Sequence, residues 1–203
     1  MTTSILFDLD GVLTDTKPLQ FLSLRDALRD CCSVDVQKTE ALTRDITTRE
    51  KLSNLSKAGI IREDQIEEIY NRKKEIANEY FSNMTPKPEK IDLFKFLEKE
   101  KIGHAIVTNA NRASSLLLLE SIGISPYLKT LISNEDVNNP KPHPEPYIRG
   151  LLSVGGKFDD FVVLEDSEVG MASAHAAGLP VYKVLDVDDV SVEFIKNILK
   201  ERK

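Results

Sequence analysis

Two aspartates, Asp8 and Asp10, stand two positions apart directly after the short apolar run 4–7. In an extended backbone, residues i and i+2 point to the same side, so both carboxylates can face one site. Neighbouring carboxylates repel each other, and a divalent cation between them or a proton on one of them relieves the repulsion. Gly11 follows at once and permits a sharp turn. The pattern therefore predicts a paired-carboxylate site rather than an ordinary polar turn.

Further along the chain, three positions offer groups that act on phosphates. Thr108 places a hydroxyl at the end of an apolar run, and Lys141 lies in the proline-rich loop 139–146, which restricts the backbone around this cation. Glu165 and Asp166 follow the apolar run 161–164, and hard carboxylate oxygens suit Mg²⁺. Nucleophile, hydroxyl, cation and metal ligand are together the set that phosphoryl transfer needs.

The elements that must position these groups alternate between two periodicities. Apolar runs typical of buried strands occupy 4–7, 105–108, 131–132, 161–164 and 181–184, and helical patterns occupy 91–101, 112–122, 147–154, 170–177 and 192–200. Alternation of this kind predicts an α/β fold with a parallel sheet covered on both faces. In such sheets the chemistry lies at the carboxyl ends of the strands, where the four candidate groups fall.

One long stretch breaks the alternation. Between Pro18 and Met84 no convincing strand pattern occurs, whereas 18–30 and 62–81 carry apolar residues at helical spacing. The segment 85–88, with two prolines, marks the return to alternating structure. We therefore predict an α/β core made of 1–16 and 85–203, with an all-helical cap, 17–84, inserted in it.

Composition narrows the function classes. A net charge of −6 argues against a nucleic-acid partner, because a phosphate backbone favours a basic surface. No apolar run approaches the roughly 20 residues that a membrane-spanning helix needs, so no membrane partner is expected. The start of the chain lacks the pattern of a signal peptide. The two cysteines, Cys31 and Cys32, are adjacent and form no disulfide framework, so we expect a reducing, cytoplasmic location.

These motifs occur in a recognisable order. Asp8-Leu9-Asp10-Gly11-Val12, Thr108-Asn109, Lys141-Pro142 and Glu165-Asp166-Ser167 resemble the four ordered motifs of the haloacid dehalogenase superfamily. The inserted helices resemble the cap of its phosphatase and β-phosphoglucomutase-like branch. The resemblance implies a Rossmann-like core, a Mg²⁺ cofactor and a small phosphorylated metabolite as the substrate.

The resemblance also implies roles for the matched residues. Asp8 would be the nucleophile and Asp10 the general acid/base, and this partner favours phosphoryl transfer over dehalogenation because it can protonate a leaving oxygen. Mg²⁺ would be held by Asp8, Asp166 and the backbone carbonyl of Asp10, with Glu165 assisting. The residues expected at the substrate are Thr16, Gln20, Arg49, Thr108, Asn109 and Lys141, of which Thr108 and Lys141 would hold the phosphoryl group.

Two cap residues bear on which reaction is catalysed. Arg49, predicted to lie between two cap helices, is similar to a cap arginine with which β-phosphoglucomutases grip a second phosphate; alternatively it is an exposed arginine near a helix start that Thr47 or Thr48 caps. Gln20 stands where those mutases typically have histidine, which favours hydrolysis. We therefore expect a phosphatase, with a sugar-phosphate mutase as the second interpretation and a non-catalytic phosphometabolite-binding module as the third.

Overall fold

The computed structural model of the chain describes residues 3–34 and 47–202. The chain divides into two compact units, one made of residues 1–16 and 84–203 and the other of residues 17–83. We call the first the α/β unit and the second the helical unit. Residues 35–46, which belong to the predicted insertion, lie outside the described part of the chain.

The α/β unit is built on a parallel sheet. Within the described residues it has five strands in the order β3-β2-β1-β4-β5. Their bounds are β1 Ser4–Phe7, β2 His104–Val107, β3 Leu131–Ile132, β4 Phe161–Glu165 and β5 Val181–Lys183. Every residue of β1, β2 and β4 is buried, as the near-continuous apolar runs of a covered parallel sheet require. The predicted α/β, Rossmann-like core is confirmed.

Helices cover both faces of this sheet. The helices of the unit are α4 Pro88–Lys99, α5 Arg112–Ser121, α6 Glu145–Val154, α7 Glu168–Ala176 and α8 Val192–Glu201. Because side chains alternate along a strand, Leu6 and Phe7 point to opposite faces. Leu6 belongs to an apolar cluster with Tyr147 of α6 and Ala174 of α7. The Phe7 ring lies 5.7 Å from the ring of Phe94 in α4, on the other face.

The helical unit has its own core. It contains α1 Lys17–Cys32, α2 Thr48–Lys57 and α3 Ile66–Ser82. The buried residues of its apolar cluster are Leu24, Ala27, Leu28, Leu52, Leu55, Ile61, Ile69 and Ile76. Helix α2 corresponds to the alternative prediction of a helix start near Arg49, and its only buried apolar residues are Leu52 and Leu55. Thr47 begins it as an N-cap in a capping box with Glu50, which satisfies backbone donors at the helix start. No helix of the described residues is long and apolar enough to cross a bilayer.

Candidate active site

The predicted motif residues come together at the carboxyl edge of the sheet. Asp8 follows β1 and Thr108 follows β2, while Glu165 is the last residue of β4 and Asp166 comes directly after it. Strand β1 pairs in parallel with both β2 and β4, so these strand ends are neighbours. Three predicted strands end one residue away from the observed bounds: Thr108 was placed inside β2, Glu165 after β4 and Val184 inside β5.

Asp8 and Lys141 form a buried ion pair. The Lys141 Nζ lies 2.6 Å from Asp8 Oδ1, and the two side chains are 3% and 11% exposed respectively. Burial, together with the charges of Glu165 and Asp10, raises the pKa of Asp8 to about 8 in spite of the attraction of Lys141. For Lys141, burial lowers the pKa, but Asp8 and Glu165 outweigh it and the net direction is upward. The lysine is thus a permanent cation beside a carboxylate that needs positive charge to stay ionised.

Glu165 forms a second buried ion pair with Lys141. It is fully buried, and its Oε1 accepts hydrogen bonds from Lys141 Nζ at 2.6 Å and from the Tyr147 hydroxyl at 2.8 Å. Its Oε2 accepts bonds from the backbone N–H groups of Asp166 and Ser167 and from the Ser167 hydroxyl. Although burial raises the pKa of Glu165, Lys141 and these donors give a net lowering. Glu165 is therefore a buried anion with both oxygens engaged.

Two glycines make room for the acidic side chains. A Cβ on Gly11 would lie 2.2 Å from Asp166 Oδ2, and a Cβ on Gly170 would lie 1.7 Å from Glu165 Oε1. Gly11 also has a φ of +95°, a conformation that other residues rarely adopt. Only a turn was predicted at Gly11. The structure adds that each glycine lets one carboxylate approach.

Three carboxylates form a group that fits a divalent cation. Ligand oxygens of Asp8, Glu165 and Asp166 all lie within 4.8 Å of one another. Oxygen ligands of this kind are those that Mg²⁺ prefers. Both oxygens of Glu165 already accept hydrogen bonds, so Glu165 would have to share them in order to ligate an ion directly.

The side chain of Asp10 is held by Thr16. The backbone N–H of Thr16 donates to Asp10 Oδ1 and its hydroxyl donates to Asp10 Oδ2, both at 2.7 Å. Thr16, predicted at the substrate, is thus placed on the candidate acid/base. Because a hydroxyl can donate or accept, the contact at Oδ2 can persist whether Asp10 is ionised or protonated.

Thr108 and Asn109 make different contacts. The Thr108 hydroxyl oxygen accepts a bond from the backbone N–H of Ala110 at 3.1 Å, which does not use the hydroxyl hydrogen. The Asn109 amide clamps the backbone of Lys141, donating to its carbonyl at 3.1 Å and accepting from its N–H at 3.0 Å. The Asn109 side chain therefore fixes the loop that carries the lysine, and its expected contact with substrate stays a prediction.

The remaining predicted residues belong to the helical unit. Arg49 lies in the first turn of α2, so its predicted place between two helices is wrong, and the alternative of a helix start capped by Thr47 is the one observed. Its guanidinium donates to both carboxylate oxygens of Glu67 and lies 4.2 Å from the centre of the Tyr70 ring. The side chain of Gln20, in α1, accepts a hydrogen bond from Lys73 Nζ. Substrate contacts by Arg49 and Gln20 remain predictions.

Tyr147 is a site residue that the sequence analysis missed. It was assigned only to the start of a helix, yet its hydroxyl lies between Lys141 Nζ, at 2.9 Å, and Glu165 Oε1, at 2.8 Å. Burial raises its pKa well above the usual value, so the hydroxyl keeps its proton. The available signal was its position six residues after Lys141, a hydroxyl-bearing ring at the first turn of a helix with an apolar face.

Named relatives resemble the chain along most of its length. A phosphorylated carbohydrates phosphatase of Thermotoga maritima is 31% identical, with 98% of each chain covered. A phosphoglycolate phosphatase of Salmonella typhi is 27% identical over 87% of this chain and 78% of its own. Both relatives are named as phosphatases.

A structural match and a family match indicate the same group of proteins as these relatives do. A crystal structure from Thermotoga maritima, whose suggested assignment is β-phosphoglucomutase, matches with a TM-score of 0.78 and 27% identity, covering 98% of this chain and 99% of that one. Residues 5–184 match the family described as haloacid dehalogenase-like hydrolase, so the match includes every predicted site residue. The chain therefore belongs to the haloacid dehalogenase-like hydrolases and is an enzyme of their phosphatase kind.

Proposed function

We propose that the chain is a Mg²⁺-dependent phosphatase that hydrolyses a small phosphorylated metabolite through a phosphoryl group carried on Asp8. The observation that carries the proposal is the buried Asp8 carboxylate, 2.6 Å from the Lys141 ammonium and within 4.8 Å of two further carboxylates. A lone buried carboxylate would be protonated and unreactive, whereas one beside fixed positive charge can act as a nucleophile.

The proposed ligands of Mg²⁺ are the carboxylates of Asp8 and Asp166. Their oxygens belong to the acidic group, and Gly11 leaves the space in which Asp166 approaches the loop after β1. The bound ion would supply positive charge that stabilises the ionised Asp8 and the charge on phosphoryl oxygens. The family resemblance adds the backbone carbonyl of Asp10 as a ligand. Glu165, whose oxygens accept hydrogen bonds from Lys141 and neighbouring donors, would assist indirectly by holding these groups in place.

In the first step, a carboxylate oxygen of Asp8 attacks phosphorus while the bond from phosphorus to the leaving oxygen breaks. Lys141 donates a hydrogen bond to a phosphoryl oxygen and offsets the charge there. Thr108, whose hydroxyl hydrogen is not used in its bond from Ala110, would donate to another. Asp10 gives its proton to the leaving oxygen, so the alcohol departs neutral.

In the second step, water attacks phosphorus of the aspartyl-phosphate. Asp10, ionised by the first step, takes a proton from that water, and the bond between phosphorus and the Asp8 oxygen breaks. Inorganic phosphate leaves and Asp10 is protonated again, which balances the cycle. Thr16 keeps the Asp10 carboxyl oriented through both steps, because its hydroxyl can exchange donor for acceptor.

The simplest test measures phosphate release from p-nitrophenyl phosphate in the presence of Mg²⁺. We expect turnover by the wild-type protein and none by Asp8→Asn, with Asp15→Asn, an exposed aspartate of the same loop, as the matched control. Turnover by Asp8→Asn at the wild-type rate would refute the mechanism. Absence of activity in the wild type towards this compound and a set of phosphorylated metabolites would favour a non-catalytic binding module.

A sugar-phosphate mutase is the second candidate, favoured by the structural match to the Thermotoga maritima protein. Hydrolysis remains the first choice, because a mutase would need cap residues such as Arg49 to bind a second phosphate. Arg49 pairs with Glu67 and Gln20 pairs with Lys73 within the helical unit. Incubation with β-glucose 1-phosphate and a bisphosphate primer separates the two. A phosphatase releases phosphate, whereas a mutase forms glucose 6-phosphate.

The substrate can be identified by a screen of phosphorylated metabolites with wild type and Arg49→Ala side by side. If Arg49 binds the leaving group, the variant loses activity on some substrates more than on others. Arg72→Ala, which breaks a comparable pair with Asp30 in the same unit, serves as the control. Equal activity of Arg49→Ala and wild type on every substrate would remove Arg49 from the site.

A further inference from the structure

We propose that Tyr147 is a positioning residue for this reaction, whose hydroxyl keeps Glu165 hydrogen-bonded when Lys141 redirects a hydrogen to a phosphoryl oxygen. The inference rests on the proposed function. Tyr147 lies in the first turn of α6 and is fully buried. Its hydroxyl donates to Glu165 Oε1 at 2.8 Å and accepts from Lys141 Nζ at 2.9 Å, so it bridges the two charged groups.

The hydrogen bonds of Lys141 show why a bridge is useful. Its ammonium has three hydrogens to donate. Four acceptors surround it, namely Asp8 Oδ1 at 2.6 Å, Glu165 Oε1 at 2.6 Å, the Val107 carbonyl at 2.8 Å and the Tyr147 hydroxyl at 2.9 Å. The acceptors already outnumber the hydrogens, so the lysine must share them.

In the transition state, the phosphoryl group moving to Asp8 brings Lys141 one more acceptor, and this contact is made less fully in the bound substrate or product. Lys141 can donate to this acceptor by withdrawing a hydrogen from one of the present partners. If that hydrogen comes from Glu165 Oε1, the Tyr147 hydroxyl still donates to the same oxygen and keeps it satisfied. Without the hydroxyl, the same turn would leave a fully buried carboxylate oxygen without a donor, which is unfavourable.

A packing role for Tyr147 is the competing explanation. The ring belongs to the apolar cluster that also contains Leu6 and Val163, and Lys141 Nζ lies 4.6 Å from the ring centre. Both features belong to the ring and survive in phenylalanine. Tyr147→Phe therefore removes the hydroxyl bridge and leaves the packing in place.

The test compares Tyr147→Phe with wild type and with a control, Tyr182→Phe. In the wild type the Tyr182 hydroxyl donates to the exposed Glu201 of the same unit. We expect Tyr147→Phe to lower kcat roughly tenfold, the effect of one hydrogen bond in the transition state, with KM changed less than about threefold. Inhibition by aluminium fluoride, a mimic of the phosphoryl group in transit, should weaken about as much as kcat/KM falls. Inhibition by inorganic phosphate should stay within about twofold, and Tyr182→Phe should match wild type.

Three results would overturn the inference. A kcat of Tyr147→Phe within about twofold of wild type would show that the hydroxyl is dispensable. A fall in kcat accompanied by a lower Tm and equally weakened inhibition by phosphate and aluminium fluoride would show that the residue acts through packing. A wild-type protein that hydrolyses no phosphate ester would fail the proposed function itself, and the inference with it.

Discussion

Two threonines in the loop after β1 differ in the hydrogen bonding of their hydroxyl groups. The Thr16 hydroxyl donates to Asp10 Oδ2 at 2.7 Å, whereas the fully buried Thr14 hydroxyl has no hydrogen-bond partner within the described part of the chain. A buried hydroxyl without a partner destabilises the folded state, and one that orients an acid/base group supports catalysis. The same substitution at the two positions should therefore have different consequences.

Thr16→Val should lower kcat by about tenfold or more, because Asp10 loses a hydrogen bond that orients it. Thr14→Val has the same change of shape, and we expect full activity with a free energy of unfolding that is unchanged or higher by about 1 kcal/mol. Steady-state kinetics and thermal unfolding of both variants check this pair. A loss of activity at Thr14 with none at Thr16 would contradict the assignment.

For single residues, the sequence predicts which side chains come together in the site better than it predicts the contacts that each one makes. Asp8 and Asp166 follow from residue types at strand ends, because parallel strands bring their carboxyl ends to one edge, and Lys141 follows from its place in a proline-rich loop. The Asn109 side chain bonds the backbone of Lys141, and the Tyr147 hydroxyl bonds the Lys141 ammonium. Those contacts depend on side-chain directions that spacing alone does not determine.

At the scale of elements, α4 is joined to the segment after β5 by a buried lysine. Lys90 is 2% exposed, and its Nζ donates to the backbone carbonyls of Val187 and Val190, the latter at 2.6 Å. Burial lowers the pKa of Lys90 from 10.5 to about 8, helped by Lys87. The folded state therefore binds this proton less tightly than the unfolded chain does.

That difference has a defined sign in pH. Between about pH 8 and 10.5 the unfolded chain holds the Lys90 proton more than the folded protein does, so this group adds stability as pH rises through the window and removes it as pH falls. Lys90→Met lacks the titration. Thermal unfolding from pH 7 to 10.5 should show the wild type gaining stability relative to Lys90→Met as pH rises. A difference that is constant over this range, or that moves the other way, would contradict the account.

Elements differ in how far the sequence predicts them. The sheet strands carry uninterrupted apolar runs and were placed within a residue of their bounds. Helix α2 was predicted only as an alternative, a helix start near Arg49, because its sequence is largely polar and its burial depends on Leu52 and Leu55 packing with residues far along the chain, such as Ile69. Its N-cap signature, Thr47 with Glu50 three residues later, was the readable signal.

At the scale of the whole molecule, an acidic chain has to bind an anion. The net charge is −6, and the proposed site itself contains three carboxylates within 4.8 Å of one another. Lys141 is one cation against these charges, and its pKa is held upward by Asp8 and Glu165 against the effect of burial. The site needs further positive charge, which is the role proposed for Mg²⁺.

Removal of divalent metal should therefore abolish turnover reversibly. We expect EDTA to stop phosphate release and added Mg²⁺ in excess to restore it, with the far-ultraviolet circular dichroism spectrum unchanged throughout. Substantial phosphatase activity of the purified protein in excess chelator would contradict the proposed role of the acidic group. An irreversible loss with unfolding would instead assign the metal a structural role.

The central claim is that Asp8 carries the phosphoryl group, and detection of that group tests it most directly. Wild-type protein turning over p-nitrophenyl phosphate with Mg²⁺ is quenched in acid, digested, and analysed by mass spectrometry for a phosphoryl group on the peptide that contains Asp8. We expect that peptide to be modified on Asp8, labile to hydroxylamine as acyl phosphates are, and unmodified in Asp8→Asn. Turnover with the phosphoryl group on another residue, or in Asp8→Asn itself, would contradict the account.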